Sequence, residues 1–265
     1  MNGRKLNMLL AVKDLSIVVN DLAQEKTIVD GISFEVKEKT VTALVGGSGS
    51  GKTTTGLATL QLLPSGLSIK RGEVIFKNEN LATLPQERLR NIRGKDIAMV
   101  FQEPLSAFNP LFTIGAQIEE VLMFHTDLNS TKRQARVFEI LNLVGIDEAK
   151  RIYNQYPHHL SGGLRQRAMI AQALAANPSL MIADEPTSNL DVTLQAKVID
   201  LFRKLKAELN LSILLITHDL GMVEHLADEV VVMKQGKIVE QGTTKNIIQN
   251  PQHPYTQKLI EVVKV

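Results

Sequence analysis

The chain of 265 residues contains no cysteine. A protein without cysteine cannot form a disulfide framework, a thiolate zinc site or an iron–sulfur cluster. Long hydrophobic runs are also missing, since the longest are about five residues and a membrane-spanning helix needs at least ~18. The first twelve residues carry two basic side chains but no sustained apolar core, which argues against a secretory signal. These absences predict a cytosolic protein.

The chain also has no large excess of positive or negative charge. The formal net charge is +2, and charged residues make up 22% of the chain. This balance does not indicate a nucleic-acid partner. The length allows one large domain or two small lobes.

A glycine-rich segment follows a short apolar run near the start of the chain. Val41–Val45 is typical of a buried parallel strand. The glycines of 46–51 let successive backbone N–H groups point into one concavity. Lys52 and Thr53 then begin a helix, whose N-terminal amides and dipole favour phosphate. The segment therefore predicts a phosphate-binding loop rather than a plain glycine turn.

The loop predicts ATP and Mg²⁺ as ligands. In this arrangement Lys52 reaches the β- and γ-phosphates, and the Thr53 hydroxyl binds Mg²⁺. We assign nucleotide contacts to all residues of the loop and the first helical turn, namely Gly46, Gly47, Ser48, Gly49, Ser50, Gly51, Lys52, Thr53 and Thr54.

An acidic pair follows a second buried run. Residues 180–183 are apolar, and Asp184 and Glu185 come directly after them. Asp184 is predicted to bind Mg²⁺, directly or through water. Glu185 is predicted to accept a proton from the attacking water or to orient it. An acidic pair at a strand end is common on protein surfaces, but less so downstream of a phosphate loop.

Six elements in this order resemble the nucleotide-binding subunit of an ABC transporter, over nearly the whole chain. They are the loop Gly46–Thr53, Gln102 in AMVFQEP, the sequence LSGG at 160–163, the pair Asp184-Glu185, the turn at 188–191 and His218 in LLITHD. One such element is moderate support for the family, and six in order are strong support.

The resemblance implies a composite site. In the family, Ser161, Gly162 and Gly163 of one subunit face the γ-phosphate bound to another subunit. Asp191, at the end of the turn 188–191, is also assigned to the nucleotide-binding residues. The residues fit this role, because Ser161 is a good N-cap and residues 164–176 favour a helix. A second helix N-terminus then closes the anion site.

The resemblance also implies two further catalytic residues. His218 contacts the γ-phosphate, and Gln102 reaches the Mg²⁺ or the water and couples it to the following segment. A lone histidine after a strand is more often structural, so the assignment of His218 depends on the other five elements.

Three positions depart from the family pattern. Leu164 stands where glutamine is common after the signature, and Asn189 stands where alanine is common. The family usually stacks an aromatic residue on adenine, but Val19 occupies that position, and residues 12–29 contain no aromatic residue. How adenine is bound is therefore open.

The predicted fold class is α/β, a P-loop NTPase core with a mainly parallel sheet. Residues 10–19 and 28–36 alternate apolar and polar residues, which predicts antiparallel strands with one wet face. Buried runs at 41–45, 97–101, 180–183 and 213–216 predict the parallel core. We expect a single domain over 1–265, with an inserted helical subdomain at about 103–177, a hairpin at 230–240 and a last helix after Pro254.

Two segments outside the catalytic motifs resemble the oligopeptide, dipeptide and nickel importer ATPases. They are Phe101–Gly115 and Asn250–Ile260. We expect residues 104–113 to form the surface that receives a permease. The chain stops at Val265 without a cysteine-bearing extension, which favours the shorter nickel or metallophore members.

The resemblance implies a set of partners. These are two membrane permease subunits, a second ATP-binding subunit in a heterodimer or homodimer, and an extracytoplasmic solute-binding protein. The subunit is expected on the cytoplasmic side of the membrane, as a peripheral protein that binds no nucleic acid. The transported substrate cannot be deduced, because such subunits do not touch the cargo.

Two alternatives stay open. One is an ABC ATPase that acts on DNA or ribosomes, although its usual tandem cassettes, insertions or basic faces are missing from this sequence. The other is a mechanotransmitting cassette that moves no solute, which would share the ATP site but not the importer-like segments.

Overall fold

The computed structural model describes residues 7–20, 25–188 and 190–263. Within these ranges the chain divides into two units. The first unit takes in the chain up to Leu89 and from Asn210 onward, and the second comprises Arg90–Leu209.

The elements are as follows. The strands are β1 Met8–Asn20, β2 Glu25–Lys37, β3 Val41–Val45, β4 Leu67–Phe76, β5 Glu79–Asn80, β6 Ile97–Val100, β7 Leu180–Asp184, β8 Ser212–Thr217, β9 Glu229–Lys234 and β10 Lys237–Thr243. The α-helices are α1 Lys52–Thr59, α2 Gln86–Ile92, α3 Pro104–Ala107, α4 Ile114–His125, α5 Ser130–Leu143, α6 Ala149–Tyr153, α7 Gly162–Leu174, α8 Val192–Leu209, α9 Leu220–Leu226, α10 Thr244–Gln249 and α11 Pro254–Val263.

The first unit contains an antiparallel sheet in the order β2-β1-β4-β5. The predicted antiparallel strands are confirmed, and β2 has the expected wet face, because Ile32, Phe34 and Val36 are buried while Ser33 and Glu35 are exposed. The same expectation is wrong for β1. Residues 9–12 and 15–18 are buried without alternation, so both faces of β1 are covered along these stretches.

The first unit also contains β10, β9, β3 and β8, in that order. The strand β3 is parallel to both β8 and β9, and all five of its residues are buried. The hairpin of β9 and β10 is confirmed. Its turn residues Gln235 and Gly236 have φ of 48° and 80°, the left-handed pair that suits a two-residue hairpin turn.

The second unit pairs β6 with β7 in parallel. Between these strands the chain is helical, from α3 to α7, and residues 103–177, all of them described, contain no strand. The long helix α8 follows β7, and its buried residues Val198, Leu201, Phe202 and Leu205 recur at helical spacing on one face.

Candidate nucleotide site

The predicted phosphate loop lies between β3 and α1. The strand ends at Val45, and the helix begins at Lys52 with Gly51 as its N-cap. Gly51 has φ of 99°, a left-handed conformation that side chains rarely adopt. Because α1 begins at this point, its free N–H groups are directed at the loop.

The loop packs closely on the β9–β10 hairpin. A Cβ at Gly46 would lie 2.2 Å from the Met233 carbonyl oxygen, so only glycine fits there. The Gly236 N–H donates to the Ser50 carbonyl oxygen at 3.1 Å. The backbone of the loop is therefore fixed by its neighbours in the first unit.

Lys52 is buried inside this loop, with 7% of its surface exposed. Its Nζ donates to the carbonyl oxygens of Gly46 at 2.7 Å and of Gly47 at 3.1 Å. The following residue, Thr53, is exposed. The loop thus offers a fixed ammonium group and an accessible hydroxyl at the start of a helix.

His218 belongs to the same unit as the loop. Val45 at the end of β3 pairs with Thr217 at the end of β8, so Gly46 and His218 leave neighbouring parallel strands at the same edge. The His218 side chain is exposed. Asp219 caps α9 by accepting from the Met222 N–H at 3.1 Å, which fixes the backbone next to the histidine.

The acidic pair and Gln102 share an edge in the second unit. Val100 pairs with Ala183, so Gln102 and the two carboxylates follow the carboxyl ends of adjacent parallel strands. Asp184 and Glu185 are 3% and 8% exposed, whereas Gln102 is exposed.

Glu185 has an uncommon backbone conformation. Its φ is 45°, which turns the chain sharply after β7. The Ser188 N–H and hydroxyl donate to the Glu185 carbonyl oxygen at 3.1 and 2.9 Å and stabilise this turn.

The predicted signature begins a helix in the second unit. Ser161 is the N-cap of α7, and its hydroxyl accepts from the Leu164 N–H at 3.4 Å. A Cβ at Gly162 would meet no atom within 4 Å, whereas one at Gly163 would lie 3.2 Å from Leu194 of α8. The N-terminus of α7 is therefore open at Gly162. The helix covers residues 162–174, against the expected 164–176.

The turn after the acidic pair also lies in this unit. Asp191 caps α8 by accepting from the Leu194 N–H at 2.9 Å, so Asp191 and the signature are linked through Leu194. Asn189, at which the sequence departs from the family pattern, lies outside the described residues.

An exposed apolar patch lies on the second unit within the segment 105–124. Its members are Leu105, Leu111, Phe112, Met123 and Phe124, with exposures from 48% to 78%. A cavity of about 270 Å³ opens beside Phe112 and Met123. Exposed apolar side chains of this size are a feature that protein interaction sites share.

Sequence reasoning missed Gln117, which organises this patch. The side chain is buried in α4; its Oε1 accepts from the Asn109 N–H at 2.8 Å, and its Nε2 donates to the carbonyl oxygens of Asn109 and Phe112 at 3.0 and 2.9 Å. It thereby fixes the loop that presents Leu111. A glutamine on the buried face of an amphipathic helix was the available signal.

Sequence reasoning also missed Tyr255 of α11. Its hydroxyl oxygen accepts from the Gly47 N–H of the phosphate loop at 2.8 Å. The two residues are 208 positions apart, so no local pattern shows their contact.

Two features are absent from the described residues 7–20, 25–188 and 190–263. No group of three or more His, Cys, Asp or Glu side chains there could hold a metal ion. Among the same residues, no helix is both long enough and apolar enough to cross a membrane.

Two protein-family models match the chain, one over its central part and one over its C-terminal part. The ABC transporter family model matches residues 29–188. The model for the oligopeptide/dipeptide transporter C-terminal region matches residues 239–265.

Curated relatives resemble the chain along most of its length. The oligopeptide transport ATP-binding protein OppD of Bacillus subtilis is 44% identical over 97% of this chain and 72% of its own length. The peptidoglycan transport ATP-binding protein YejF of Agrobacterium fabrum is 47% identical over 95% of this chain, which spans 46% of that relative.

Solved structures agree with the family models. A dimeric structure of the ATP-binding cassette MJ0796, in a post-hydrolysis state with ADP and Pi, matches with a TM-score of 0.80 and 27% identity, over 89% of this chain and 99% of the other. The α/β fold with a parallel core and an antiparallel sheet is therefore confirmed. The chain belongs to the ABC transporter family as an ATP-hydrolysing, ATP-binding cassette with the oligopeptide/dipeptide type of C-terminal region.

Proposed function

We propose that ATP binds with its phosphates in the loop 46–51, where Lys52 contacts the β- and γ-phosphates. Two features of the first unit support this assignment. The Lys52 ammonium is already fixed by the Gly46 and Gly47 carbonyl oxygens, and the loop backbone is packed against Met233. A preorganised site of this kind needs little rearrangement when phosphate enters.

Mg²⁺ accompanies the nucleotide in this proposal. The donor set fits a hard cation, because the Thr53 hydroxyl, the Asp184 carboxylate and the Gln102 amide all offer oxygen. Phosphate oxygens and water would supply the remaining ligands of such a cation. When bound, Mg²⁺ neutralises charge on the β- and γ-phosphates.

Glu185 is proposed as the base for the attacking water. Its carboxylate directly follows β7 and is largely shielded from solvent, which limits competing hydration. His218 is proposed to contact the γ-phosphate, and its place beside the loop at the edge of β3 and β8 supports this role. Gln102 is proposed to orient the water or the metal.

A second chain is proposed to complete the site. The α7 N-terminus, with Ser161 as cap and open space at Gly162, presents free amides that could receive a γ-phosphate bound to another subunit. Asp191 lies beside this helix through Leu194. The related cassette MJ0796 forms dimers, which is consistent with this arrangement.

In this proposal the dimer closes when ATP binds and reopens after hydrolysis, and this cycle drives solute import. The importer ATPase would dock on two permease subunits at the cytoplasmic face of the membrane, with a sister ATPase and a solute-binding protein in the full complex. The C-terminal family match and the peptide transporters among the relatives favour peptides as cargo. Nickel or a metal chelate stays a prediction from sequence alone.

The permease is proposed to dock on the apolar patch of the second unit. Leu111 is 78% exposed, and its loop is fixed by the buried Gln117, so this surface is both apolar and ordered. An interface core of this composition suits a short amphipathic helix of a membrane partner. The hydrogen-bonded loop that exposes Leu111 is the structural observation that carries the proposal of permease docking.

Recovery of partners from membranes tests the proposal. The tagged chain should retain two polytopic permeases and a second ATPase, and Leu111→Asp should lose the permeases while binding ATP normally. Leu209→Asp is the matched control, because Leu209 is an exposed leucine outside the patch. Equal recovery by both variants would show that the permease docks elsewhere.

A further inference from the structure

The most unexpected contact of the phosphate loop comes from the C-terminal helix α11. The Tyr255 hydroxyl oxygen accepts from the Gly47 N–H at 2.8 Å. The N–H of Gly47 and the carbonyl of Gly46 belong to the same peptide group, and that carbonyl oxygen accepts from Lys52 Nζ at 2.7 Å. One peptide group of the loop is thus bound at both ends by side chains.

This peptide group needs such restraint. It joins two glycines, and a peptide between glycines rotates at little steric cost. If it turned over, its carbonyl oxygen would point away from the Lys52 ammonium. The tyrosine hydroxyl opposes this rotation by accepting from the N–H, and the polarised peptide becomes a better acceptor for the lysine.

Tyr255 is itself well anchored. Glu240 of β10 accepts from the backbone N–H groups of Gln252 and His253 at 2.8 and 3.0 Å. Burial raises the pKa of the Glu240 carboxyl, but the Gln252 N–H and its other hydrogen bonds outweigh this and lower the pKa overall. The carboxylate is therefore charged at neutral pH and fixes the segment that leads into α11.

The remaining contacts orient the tyrosine ring. His253 Nδ1 accepts from the Tyr255 N–H at 3.1 Å, which caps the start of α11. The Lys234 ammonium lies 5.0 Å from the centre of the Tyr255 ring, within range of a cation–π contact. Pro254 begins the helix, a position that suits proline.

We propose that Tyr255 is a positioning residue for ATP binding, which fixes the Gly46–Gly47 peptide and through it the Lys52 ammonium. The C-terminal segment shared with oligopeptide and dipeptide transporters is then part of the nucleotide site. This inference rests on the proposed assignment of the phosphate loop.

The test compares Mg·ATP affinity of the full-length chain in three variants. Tyr255→Phe keeps the ring and the Lys234 contact but removes the hydroxyl, and ATP affinity should fall about 3- to 10-fold, the range of one hydrogen bond. Tyr153→Phe is the matched control. It removes a hydroxyl that donates to Glu119 at 2.7 Å in the second unit, and it should leave ATP affinity unchanged.

The variant Lys52→Ala distinguishes a failure of the Tyr255 proposal from a failure of the phosphate-loop assignment. If Lys52→Ala binds ATP as well as the wild type, the loop assignment itself is wrong. If Lys52→Ala loses affinity while Tyr255→Phe equals Tyr153→Phe, the positioning role of Tyr255 is overturned.

Two further readouts distinguish positioning from mere stability. In phosphate release by the assembled complex, Tyr255→Phe should raise KM for ATP and leave kcat within about twofold, because saturating ATP restores the loop. Partial unfolding would instead lower kcat at constant KM, which would count against the proposal.

The second readout is a double-mutant cycle with Gly47→Ala. A Cβ at Gly47 would lie 3.2 Å from the Tyr255 hydroxyl oxygen. Gly47→Ala should therefore weaken ATP binding more in the wild type than in Tyr255→Phe, and strict additivity would contradict the direct contact.

Discussion

Two helix N-termini that could bind phosphate differ in how they are surrounded. The helix α1 is preceded by a loop that packs against Met233 and Tyr255 and encloses the buried Lys52. The helix α7 begins at an exposed serine cap, and the space around Gly162 is empty.

The difference indicates which site works alone. The α1 site has its charge, its backbone donors and its supports within the first unit, so we expect it to bind phosphate unaided. At the start of α7, Ser161 and Gly162 are exposed, and a helix end surrounded by water contributes little until that water is excluded. We infer that the second site acts only when another molecule covers it.

The largest expected effect concerns catalysis, for which we propose that both sites are needed. Glu185→Gln keeps the size of the side chain and removes the base, so phosphate release should fall by ~10²–10⁴-fold while ATP still binds. Phosphate release by the assembled complex and ATP titration of the isolated chain measure the two parts. Unchanged turnover would remove Glu185 from the mechanism.

The next effect tests the α1 site alone. Lys52→Ala removes a charge-assisted contact worth about 1.5–3 kcal/mol, so ATP affinity should fall at least about tenfold. Calorimetry on the isolated chain measures this change. Normal turnover and affinity would contradict the assignment of the loop.

A smaller effect tests the second unit as a docking surface. Gln117→Leu leaves the Asn109 and Phe112 backbone groups without their partner, at a cost of about 1–3 kcal/mol. We expect a lower thermal midpoint, weaker recovery of permeases and unchanged ATP affinity. Full recovery of permeases would show that the order of this loop does not matter for docking.

The smallest effect concerns the cap of α7. Ser161→Ala removes the acceptor for the Leu164 N–H, and losing an N-cap costs about 0.5–2 kcal/mol. A modest drop in the denaturation midpoint is expected, with ATP affinity of the isolated chain unchanged. Ser161→Asn should restore most of the stability, because asparagine also caps helices.

The sequence predicted the elements that local chemistry determines. The strand β3 and the hairpin of β9 and β10 follow from short apolar runs and a turn pair, and the cap at Ser161 follows from its residue type. The burial of both faces of β1 depends on which parts of the folded chain cover the sheet, and this is not a local property of the sequence.

The contacts of Tyr255 and Gln117 were not predicted, because they too depend on the folded chain. Tyr255 meets Gly47 only after the chain has folded. Gln117 left one local signal, its place on the buried face of an amphipathic helix, but its bonds to Asn109 and Phe112 form only in the folded chain. The roles of Gln102, His218 and Asp191 stay predictions, since their assignment comes from the family pattern. The family pattern places adenine near Val19, which is half-buried, and this position also stays a prediction.

The comparison of the two helix ends shows where a negative charge can be added to α7 without a steric clash. Gly163→Asp would set a carboxylate against the γ-phosphate of a second chain, but its Cβ would also press on Leu194. Gly162→Asp places the same charge where a Cβ meets no atom within 4 Å, so its effect is free of that local contact. Both should spare the loop that contains Lys52.

The most direct test of the composite site is the ATP affinity of the isolated Gly162→Asp monomer, measured beside that of Lys52→Ala. Phosphate release by the assembled complex is then measured for both variants. We predict near-normal ATP affinity for the Gly162→Asp monomer and reduced ATP affinity for the Lys52→Ala monomer. Both variants should lose ATP-driven dimerisation and turnover, Lys52→Ala because ATP no longer binds well and Gly162→Asp because like charges repel in a closed interface. A Gly162→Asp monomer that binds ATP as poorly as Lys52→Ala would place the signature in the same chain's site and contradict the account.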